Sequence, residues 1–261
     1  MKAFLFVTDL DDTLVGDKKS LNFLEQLNEE LINHRKTYGT KIVYATGRSL
    51  TLYQQLINTQ ELLEPDALIT AVGTEIYFNS NYKTPDLKWS SKLSIGWNRD
   101  LVEKIAANFE DLVLQKASEQ LPFKVSYLVK EEAAKKVIPQ LDNLLKKENI
   151  KFNLIYSGNF SGSENLESKN LDILPFDTDK GLAMKYLQNE WGHSAHETVV
   201  CGDSGNDIAL FSRGEERGII VGNALSELRE WYTANKTDYR YLAKSFYAEG
   251  ILEGLRHFQF I

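Results

Sequence analysis

Residues 4–13 of the chain read FLFVTDLDDT, a run of apolar, strand-forming residues that ends abruptly in three carboxylates and a threonine. The apolar part predicts a buried strand. Asp9 and Asp11 are two residues apart, so their side chains lie on the same side of an extended backbone. Two carboxylates in one pocket repel each other unless a cation or a proton compensates them. The stretch therefore predicts a cation site at the carboxyl end of a buried strand.

The rest of the chain alternates between helix and strand patterns on either side of a central region. Helices are predicted over 20–38, 179–191, 207–212, 225–234 and 249–258, and strands over 41–46, 67–72, 197–201 and 217–221. This alternation predicts right-handed βαβ units and a parallel sheet. Open α/β sheets bind their ligands at the carboxyl ends of the strands, which is where the polar residues of this chain fall. We therefore expect an α/β fold with its site at that edge.

The pattern changes between residues 79 and 174. A hairpin is expected first, with strands over 76–78 and 88–90 around a turn at 79–81. It is followed by helices over 98–111 and 131–148, strands over 123–129, 152–156 and 171–174, and a long mobile loop of small residues over 157–165. We therefore expect residues 79–174 to form an α+β cap domain, inserted into a catalytic core that consists of residues 1–78 and 175–261.

Four polar clusters lie at or beside the ends of the expected parallel strands. They are DLDDT at 9–13, TGR at 46–48, DKG at 179–181 and GDSGND at 202–207. Each by itself fits an ordinary turn or helix cap. A lysine at a helix N-terminus, as Lys180 would be, is electrostatically unfavourable unless an anion lies beside it. Because all four clusters occur together, they indicate a site for a cation and an anion.

The residue types in these clusters indicate phosphoryl transfer. Hard oxygen ligands come from Asp9, Asp11, Asp203 and Asp207. Such ligands suit Mg²⁺ rather than zinc or copper. Lys180 and the backbone N–H groups around Leu10 and Gly47 would neutralise a phosphoryl group. One carboxylate can attack phosphorus and a second can carry the proton, so we expect transfer to an aspartate and then to water.

Composition excludes several other classes of function. The 261-residue chain has a net charge of −7 and no dense basic cluster, so nucleic acid is not an expected partner. Its single cysteine excludes an intramolecular disulfide and a Cys-rich zinc site. No run approaches the roughly 18 apolar residues that span a bilayer, and the N-terminus does not resemble a signal peptide. We expect a cytoplasmic protein with no membrane partner.

The order of the four clusters resembles that of the haloacid dehalogenase-like phosphatase superfamily, and the resemblance covers the whole chain. It implies a Rossmann-like, three-layer core with a parallel sheet and an inserted cap of the type-two kind. It also implies a role for each matching residue. Asp9 would be the nucleophile and a Mg²⁺ ligand through its side chain, and Asp11 the general acid/base and a ligand through its backbone carbonyl. Thr46 would bind phosphate, Lys180 would be the lysine of the third motif, and Asp203 would be a metal ligand.

The sequences within and around these motifs are similar to those of the sucrose-phosphate phosphatases of cyanobacteria and plants. The matching segments are DDT at 11–13, YATGRS at 44–49, LITAVGTEIY at 68–77 and CGDSGND at 201–207. The resemblance implies Mg²⁺-dependent hydrolysis of a sugar phosphate, with sucrose-6-phosphate as the expected substrate. We also expect a monomer and a transient contact with a sucrose-phosphate synthase. The loop over 157–170 departs from that family's pattern, and it lies in the cap, which selects the substrate in this family.

Substrate-binding residues are expected on both sides of the site. Thr74 and Glu75 directly follow a core strand and should therefore face the substrate. The other candidates are Thr46, Gly47, Lys180 and Asn206 in the core and Lys124, with Ser126 or Tyr127, on a cap strand.

Alternatives remain at this stage. Trehalose-, mannosylfructose- or glucosylglycerol-phosphate could replace sucrose-6-phosphate, and a phosphomutase of the same fold would carry the same motifs. A phospho-aspartate signalling switch combines similar residues, but a nucleophile on the first strand and a large insertion do not fit a receiver domain. A GTPase or kinase is disfavoured because neither GxxxxGKS nor GxxxxGKT occurs in the chain.

Overall fold

The computed structural model describes residues 2–17, 21–79, 82–157 and 168–261. These residues form one sheet of seven strands and one sheet of four. The expected turn at 79–81 and the expected loop over 157–165 fall largely outside them, at residues 80–81 and 158–167.

The described residues form helices and strands with the following bounds. The strands are β1 Leu5–Thr8, β2 Lys41–Ala45, β3 Ala67–Thr70, β4 Glu75–Phe78, β5 Val113–Leu114, β6 Val125–Lys130, β7 Phe152–Ser157, β8 Ser168–Pro175, β9 Thr198–Gly202, β10 Arg217–Ile220 and β11 Arg240–Leu242. The helices are α1 Leu21–Tyr38, α2 Leu50–Ile57, α3 Leu87–Leu93, α4 Arg99–Ala106, α5 Glu131–Lys147, α6 Lys180–Trp191, α7 Ile208–Ser212, α8 Ser226–Ala234 and α9 Tyr247–His257. None of the described helices has the length and apolar character needed to cross a membrane.

The larger sheet has the strand order β11-β10-β9-β1-β2-β3-β4. Every neighbouring pair is parallel except β3 and β4. In the centre of the sheet, Thr8 pairs with Tyr44 on one side and Cys201 on the other. The residues that follow these three strands therefore meet at one edge, which confirms the expected α/β fold.

Helices cover both faces of this sheet. Phe4 and Phe6 pack with α1, α2 and α9 on one face, and Leu5 and Val7 pack with α3, α6, α7 and α8 on the other. The alternation along β1 sends successive side chains into the two apolar layers, which explains why this strand is apolar throughout. The core thus has the three expected layers.

The smaller sheet is antiparallel, with the order β5-β6-β8-β7, and it forms the cap. Along β6, Val125, Tyr127 and Val129 pack into an apolar cluster with α4 and α5. Ser126 points to the opposite face, where it meets the carboxylate of Asp172 on β8. One face of the cap sheet is therefore covered by helices, and the other, the polar face, carries Ser126, Asn170 and Asp172 together with Leu128 and Ile155.

Two local predictions are wrong, and the helix predicted over 98–111 ends earlier, at Ala106 in α4. Lys88–Ser90 is not the second strand of a hairpin but lies in α3, which begins where Asp86 Oδ1 accepts a hydrogen bond from Trp89 N at 2.7 Å. Strand β8 begins at Ser168 rather than at 171.

Trp89 and Leu93 of α3 pack into the apolar layer of the core. We therefore propose that the core continues to Leu93, whereas the division at residue 79 stays a prediction.

Candidate active site

Three buried aspartates meet at the carboxyl ends of β1 and β9. Asp9 follows β1, Asp203 follows β9, and Asp207 ends the short 3₁₀ turn over Gly205–Asp207. One carboxylate oxygen of each lies within 4.8 Å of the others. These residues come together because neighbouring parallel strands end at the same edge of the sheet, as the sequence predicted.

Lys180 lies against this cluster with a side chain that is 0% exposed. Its Nζ donates to Asp9 Oδ1 at 2.6 Å and to Asp207 Oδ1 at 2.8 Å. Helix α6 begins at this lysine because Asp179 Oδ1 caps it, accepting a hydrogen bond from Leu182 N at 2.7 Å. Two carboxylates thus offset the cost of a buried cation at a helix N-terminus.

Hydrogen bonds fix the loops that carry the aspartates. Asp207 Oδ2 accepts from the backbone N of Asp203 and of Ser204, each at 3.1 Å. Thr13 Oγ1 donates to Asp203 Oδ1 at 2.9 Å and so joins the loop after β1 to the loop after β9. The acidic cluster is therefore held in position by the protein itself.

Asp11 lies beside the cluster and pairs with Arg48. The guanidinium donates through Nε to Asp11 Oδ2 at 2.7 Å and through Nη2 to Asp11 Oδ1 at 2.6 Å. This two-point contact fixes both the position and the rotation of the carboxylate. Arg48 was not among the predicted site residues, although its place after Thr46 and Gly47 in the second cluster was a usable signal.

Burial and like charges raise the pKa of Asp9 and of Asp203. Burial is the main cause that brings the pKa of Asp9 to about 7; Asp207 and Asp11 raise it further, while Lys180 opposes the shift. Burial, with Asp207 and Asp9, also holds the pKa of Asp203 well above its usual range. Burial by itself lowers the pKa of Lys180, but Asp207 and Asp9 outweigh it and leave a net rise. The lysine therefore stays charged at neutral pH.

The second cluster supplies the wall beside these charges. Thr46 is fully buried, its Oγ1 accepts a hydrogen bond from Arg48 N at 3.1 Å, and it does not line the cavity described below. Gly47 and Asn206 do line that cavity and lie next to each other. The expected core residues are thus neighbours, with Gly47 and Asn206 exposed to a ligand and Thr46 behind them.

A cavity of about 460 Å³ opens between the core and the cap. The core lines it with Asp9, Asp11, Asp203 and Arg48, and the cap lines it with Lys124, Glu119, Asp172 and Asn170. The volume lies in the usual range for small-molecule sites. The polar face of the cap sheet therefore covers the acidic cluster directly.

The cap wall is a network of charged and hydroxyl groups. Lys124 Nζ donates to Glu119 Oε2 at 3.2 Å and lies 3.7 Å from Asp172 Oδ1, while Ser126 Oγ donates to Asp172 Oδ1 at 2.6 Å. Ser49 at the start of α2 donates to Glu119 Oε1 at 2.8 Å, so this network also connects the cap to the core. The lysine that the sequence singled out is therefore in the cavity wall.

Besides Thr46, Lys180 and Ser126, three further predicted substrate-binding residues do not line the cavity. Thr74 is buried, and its hydroxyl donates to Ala71 O at 3.0 Å. Glu75 accepts hydrogen bonds from Thr70 and Tyr77. Tyr127 lies in the apolar cluster of the cap. Thr74 and Glu75 lie outside the cavity wall because of the tight turn over Ala71–Gly73. This turn sends the chain back along β3 and away from the site.

Sequence reasoning also missed Glu119 and Asp172 in the cap wall. Each contacts partners that are distant in sequence: Glu119 is 70 residues from Ser49, and Asp172 is 46 residues from Ser126. An available signal was the isolated aspartate in the apolar strand that became β8, because a buried charge in a strand needs a partner.

The sequence model of the family described as "Sucrose-6F-phosphate phosphohydrolase" matches residues 2–259. The chain is 37% identical to "Probable sucrose-phosphatase 2" of Arabidopsis thaliana and 35% identical to "Sucrose-phosphatase 1" of Nicotiana tabacum, over 98% and 97% of its own length. It spans only 59% of the length of either plant protein.

A solved structure gives the same result over full length. The sucrose-phosphatase of Synechocystis, crystallised with sucrose and phosphate, superposes with a TM-score of 0.86 at 40% identity, and 99% of each chain is covered. A haloacid dehalogenase-like hydrolase of Bacillus subtilis shares the fold, with a TM-score of 0.68 at 19% identity over 98% of this chain and 92% of the other. The chain therefore belongs to the sucrose-6F-phosphate phosphohydrolase family, within the haloacid dehalogenase-like fold.

Proposed function

We propose that this protein is a Mg²⁺-dependent phosphatase that hydrolyses sucrose-6-phosphate to sucrose and phosphate. One observation carries the proposal: a buried cluster of carboxylates, paired with Lys180, opens into a cavity whose other wall is the polar face of the cap. Family membership and the Synechocystis relative, whose structure holds sucrose and phosphate, support the choice of substrate.

The chemistry of the donor set fits Mg²⁺. Four carboxylates lie at the site, those of Asp9, Asp11, Asp203 and Asp207. Two cationic side chains pair with them, Lys180 with Asp9 and Asp207, and Arg48 with Asp11. These two cations compensate only part of the negative charge of the aspartates, which suits a site for a divalent cation. Asp9 and Asp203 would hold the ion, with the backbone carbonyl of Asp11 and with Asp207 near them, and oxygen donors of this kind are what Mg²⁺ prefers. The bound ion supplies charge neutralisation for the phosphoryl oxygens.

Asp9 is the proposed nucleophile. A carboxylate oxygen of Asp9 attacks phosphorus, the bond between phosphorus and the sugar oxygen breaks, and an aspartyl-phosphate forms. Burial is the main cause that raises the pKa of Asp9 to about 7. Lys180 at 2.6 Å, together with a metal cation, favours the ionised form that attack requires.

Asp11 is the proposed general acid and base. Its proton goes to the sugar alkoxide as the leaving group departs, and Asp11 then takes a proton from the water that attacks the aspartyl-phosphate. Arg48 fixes the position of this carboxyl group, and one of its two hydrogen bonds must be released when an oxygen of Asp11 carries the proton. Release of inorganic phosphate restores both aspartates.

The cap wall is proposed to bind the sugar. Lys124 and Asp172 present a donor and an acceptor to the cavity, and Asn170 and Gln115 add amide groups. Because buried polar groups discriminate strongly against a substrate that leaves them unpaired, this wall is suited to select one disaccharide. In the core, Gly47, Asn206, Thr46 and Lys180 are the proposed phosphate-side residues.

Phosphate release from a panel of sugar phosphates, with Mg²⁺ or with EDTA, tests the proposal. Sucrose-6-phosphate should have the highest kcat/KM, and EDTA should abolish turnover until Mg²⁺ is restored. A relative at 28% identity is called "Mannosylfructose-phosphate phosphatase" and comes from Agrobacterium fabrum, so mannosylfructose-phosphate belongs in the panel. Preference for that substrate would leave the proposed mechanism intact but contradict the assignment of sucrose-6-phosphate as the substrate. Activity that is unaffected by EDTA would contradict the proposed requirement for Mg²⁺. The cytoplasmic location, the monomeric state and a transient contact with a synthase stay predictions.

A further inference from the structure

Two residues in the loops around the site have a backbone conformation that their side chains disfavour. Asp12, which follows Asp11 directly, has a φ of 57°, and Tyr247, the first residue of α9, has a φ of 52°. Residues other than glycine rarely adopt positive φ, and a bulky residue such as tyrosine does so least. Such conformations persist only where the surroundings impose them. Both residues line the cavity, so the strain lies at the site.

One side chain connects the two strained residues. Asn223, in the turn after β10, donates from Nδ2 to Asp12 O at 2.6 Å. Its Oδ1 accepts a hydrogen bond from Tyr247 N at 3.0 Å. A primary amide can do both at once because its donor and its acceptor diverge from one planar group. Asn223 therefore holds each strained backbone unit with a separate atom.

The ring of Tyr247 packs against the other end of the same loop. A Cβ at Gly16 would lie 2.3 Å from Cγ and Cδ2 of that ring, so only a glycine allows the ring this position. The loop over 9–16 is thus held in the middle by Asn223 and at its end by Tyr247. Between these two points, Thr13 donates its hydrogen bond to Asp203.

We propose that Asn223 is a positioning residue, which, with Tyr247, holds the loop after β1 in the strained conformation that aims Asp11 and orients Asp203 through Thr13. The inference rests on the proposed function for its kinetic part. It also gives Asp12, to which the motif assigned no chemistry, a structural role through its backbone. Asn223 does not touch the reacting atoms in this account.

The test compares Asn223→Ala, Asp12→Gly and the double variant with the wild type. Asn223→Ala should lower kcat by about 10- to 100-fold with little change in KM, because the carboxylates are misplaced while the cap wall is intact. Asp12→Gly alone should lower kcat much less than Asn223→Ala does, since glycine adopts positive φ without strain. In the double variant, Asp12→Gly should recover a large part of the lost kcat.

Gln259→Gly is the matched control. Gln259 also has a positive φ, 61°, but it is exposed and lies beyond the far end of α9. Its replacement should relieve strain of the same kind without rescuing Asn223→Ala. Wild-type kcat in Asn223→Ala would overturn the proposal. The proposal would also be overturned if Gln259→Gly restored kcat of Asn223→Ala as well as Asp12→Gly does, or if Asp12→Gly did not restore it. Either result would mean that Asn223 contributes only to general stability.

The urea midpoints of the same metal-free variants provide a readout that does not depend on activity. Asn223→Ala should lower the midpoint, and Asp12→Gly should restore it more in that background than Gln259→Gly does. If the wild type hydrolyses no sugar phosphate, the proposed function fails, while these midpoints still decide whether Asn223 imposes the conformation of Asp12. Midpoints that show additive effects of Asn223→Ala and Asp12→Gly would contradict the link.

Discussion

The two walls of the cavity are built in different ways. The core wall consists of residues that directly follow parallel strands, and its charges are paired within the core: Lys180 with Asp9 and Asp207, Arg48 with Asp11. The cap wall consists of side chains on one face of an antiparallel sheet, and one of its carboxylates, Glu119, pairs across to Ser49 in the core. The core wall is therefore complete within its own domain, whereas the cap wall depends on how the two domains meet.

This difference suggests a division of labour. Groups that carry the chemistry need fixed positions, which strand ends and short loops provide. Groups that select the sugar need only be arranged around it once the cap lies over the core. Substitutions in the core wall should therefore act on kcat, and substitutions in the cap wall on KM and on substrate preference.

The largest effect is expected in the core wall, for Asp9→Asn. The amide is nearly isosteric but a very poor nucleophile, so turnover should fall by about 10⁴-fold or more. The fold should survive, because one charge less relieves repulsion with Asp203 and Asp207. Phosphate release and a urea unfolding curve measure the two outcomes. Turnover close to that of the wild type would show that Asp9 is not the nucleophile.

The next largest effect tests which domain α3 belongs to. Trp89 is 1% exposed, packs in the core and donates from Nε1 to Gly73 O at 2.9 Å. Trp89→Ala should cost about 3–5 kcal/mol of unfolding free energy. Trp97→Ala, which removes a partly buried tryptophan from the cap, is the matched comparison and should cost less. Equal losses in urea titrations would argue against placing α3 in the core.

A smaller effect is expected in the cap wall. Asp172→Asn keeps the shape and the hydrogen bond from Ser126 but removes the charge near Lys124. Since a hydrogen bond to a charged group contributes about 1.5–3 kcal/mol, KM for the sugar phosphate should rise by roughly 10- to 100-fold with kcat nearly unchanged. Asp142→Asn, on the exposed side of α5, is the control and should leave both constants unchanged. A loss confined to kcat would contradict the division between the walls.

The smallest effect concerns a carboxylate that contrasts with Asp9. Burial tends to raise the pKa of Glu253, but hydrogen bonds from the Tyr241 hydroxyl and from the backbone N of Ser245 and Lys244 outweigh it and lower the pKa to about 2. Because this folded-state pKa lies below the ordinary 4.5, the stabilisation is present above pH 4.5 and is lost as the pH falls toward 2.

Glu253→Gln should therefore destabilise the protein by about 1 kcal/mol at pH 6, a modest value because the group is partly exposed. The difference from the wild type should stay near its full size down to pH 4.5 and shrink as the pH falls from there toward 2. Urea midpoints at several pH values measure it. A difference that stays constant or grows on acidification below pH 4.5 would contradict the sign of this pKa shift.

The sequence predicts the core wall better than the cap wall for a physical reason. Asp9 and Asp203 directly follow apolar strands, and parallel topology then brings them together without knowledge of side-chain packing. The direction of the chain after β3 could not be read in this way, because positive φ values at Ala71, Val72 and Gly73 reverse it and carry Thr74 and Glu75 away.

The cap wall depends on long-range contacts that no local pattern contains. Glu119 is significant because Ser49 and Lys124 meet it, and Ser49 belongs to the other domain. Helix α3 is different, because Asp86, three residues before Trp89, is a normal N-cap signal. The short segment 88–90 was instead interpreted as a strand. The docking of the two domains thus explains why sequence reasoning missed residues of the cap domain. For α3, the overlooked signal was the helix N-cap at Asp86.

Detection of the phosphoryl-enzyme tests the central claim most directly. The variant Asp11→Asn, which lacks the general acid and base, is mixed with Mg²⁺ and acetyl phosphate, whose leaving group needs no proton, and the reaction is quenched in acid. Mass spectrometry of the peptides should find one phosphoryl group on Asp9, and the double variant with Asp9→Asn should carry none. A phosphoryl group on another residue, or phosphate release with Asp9 never modified, would contradict the account.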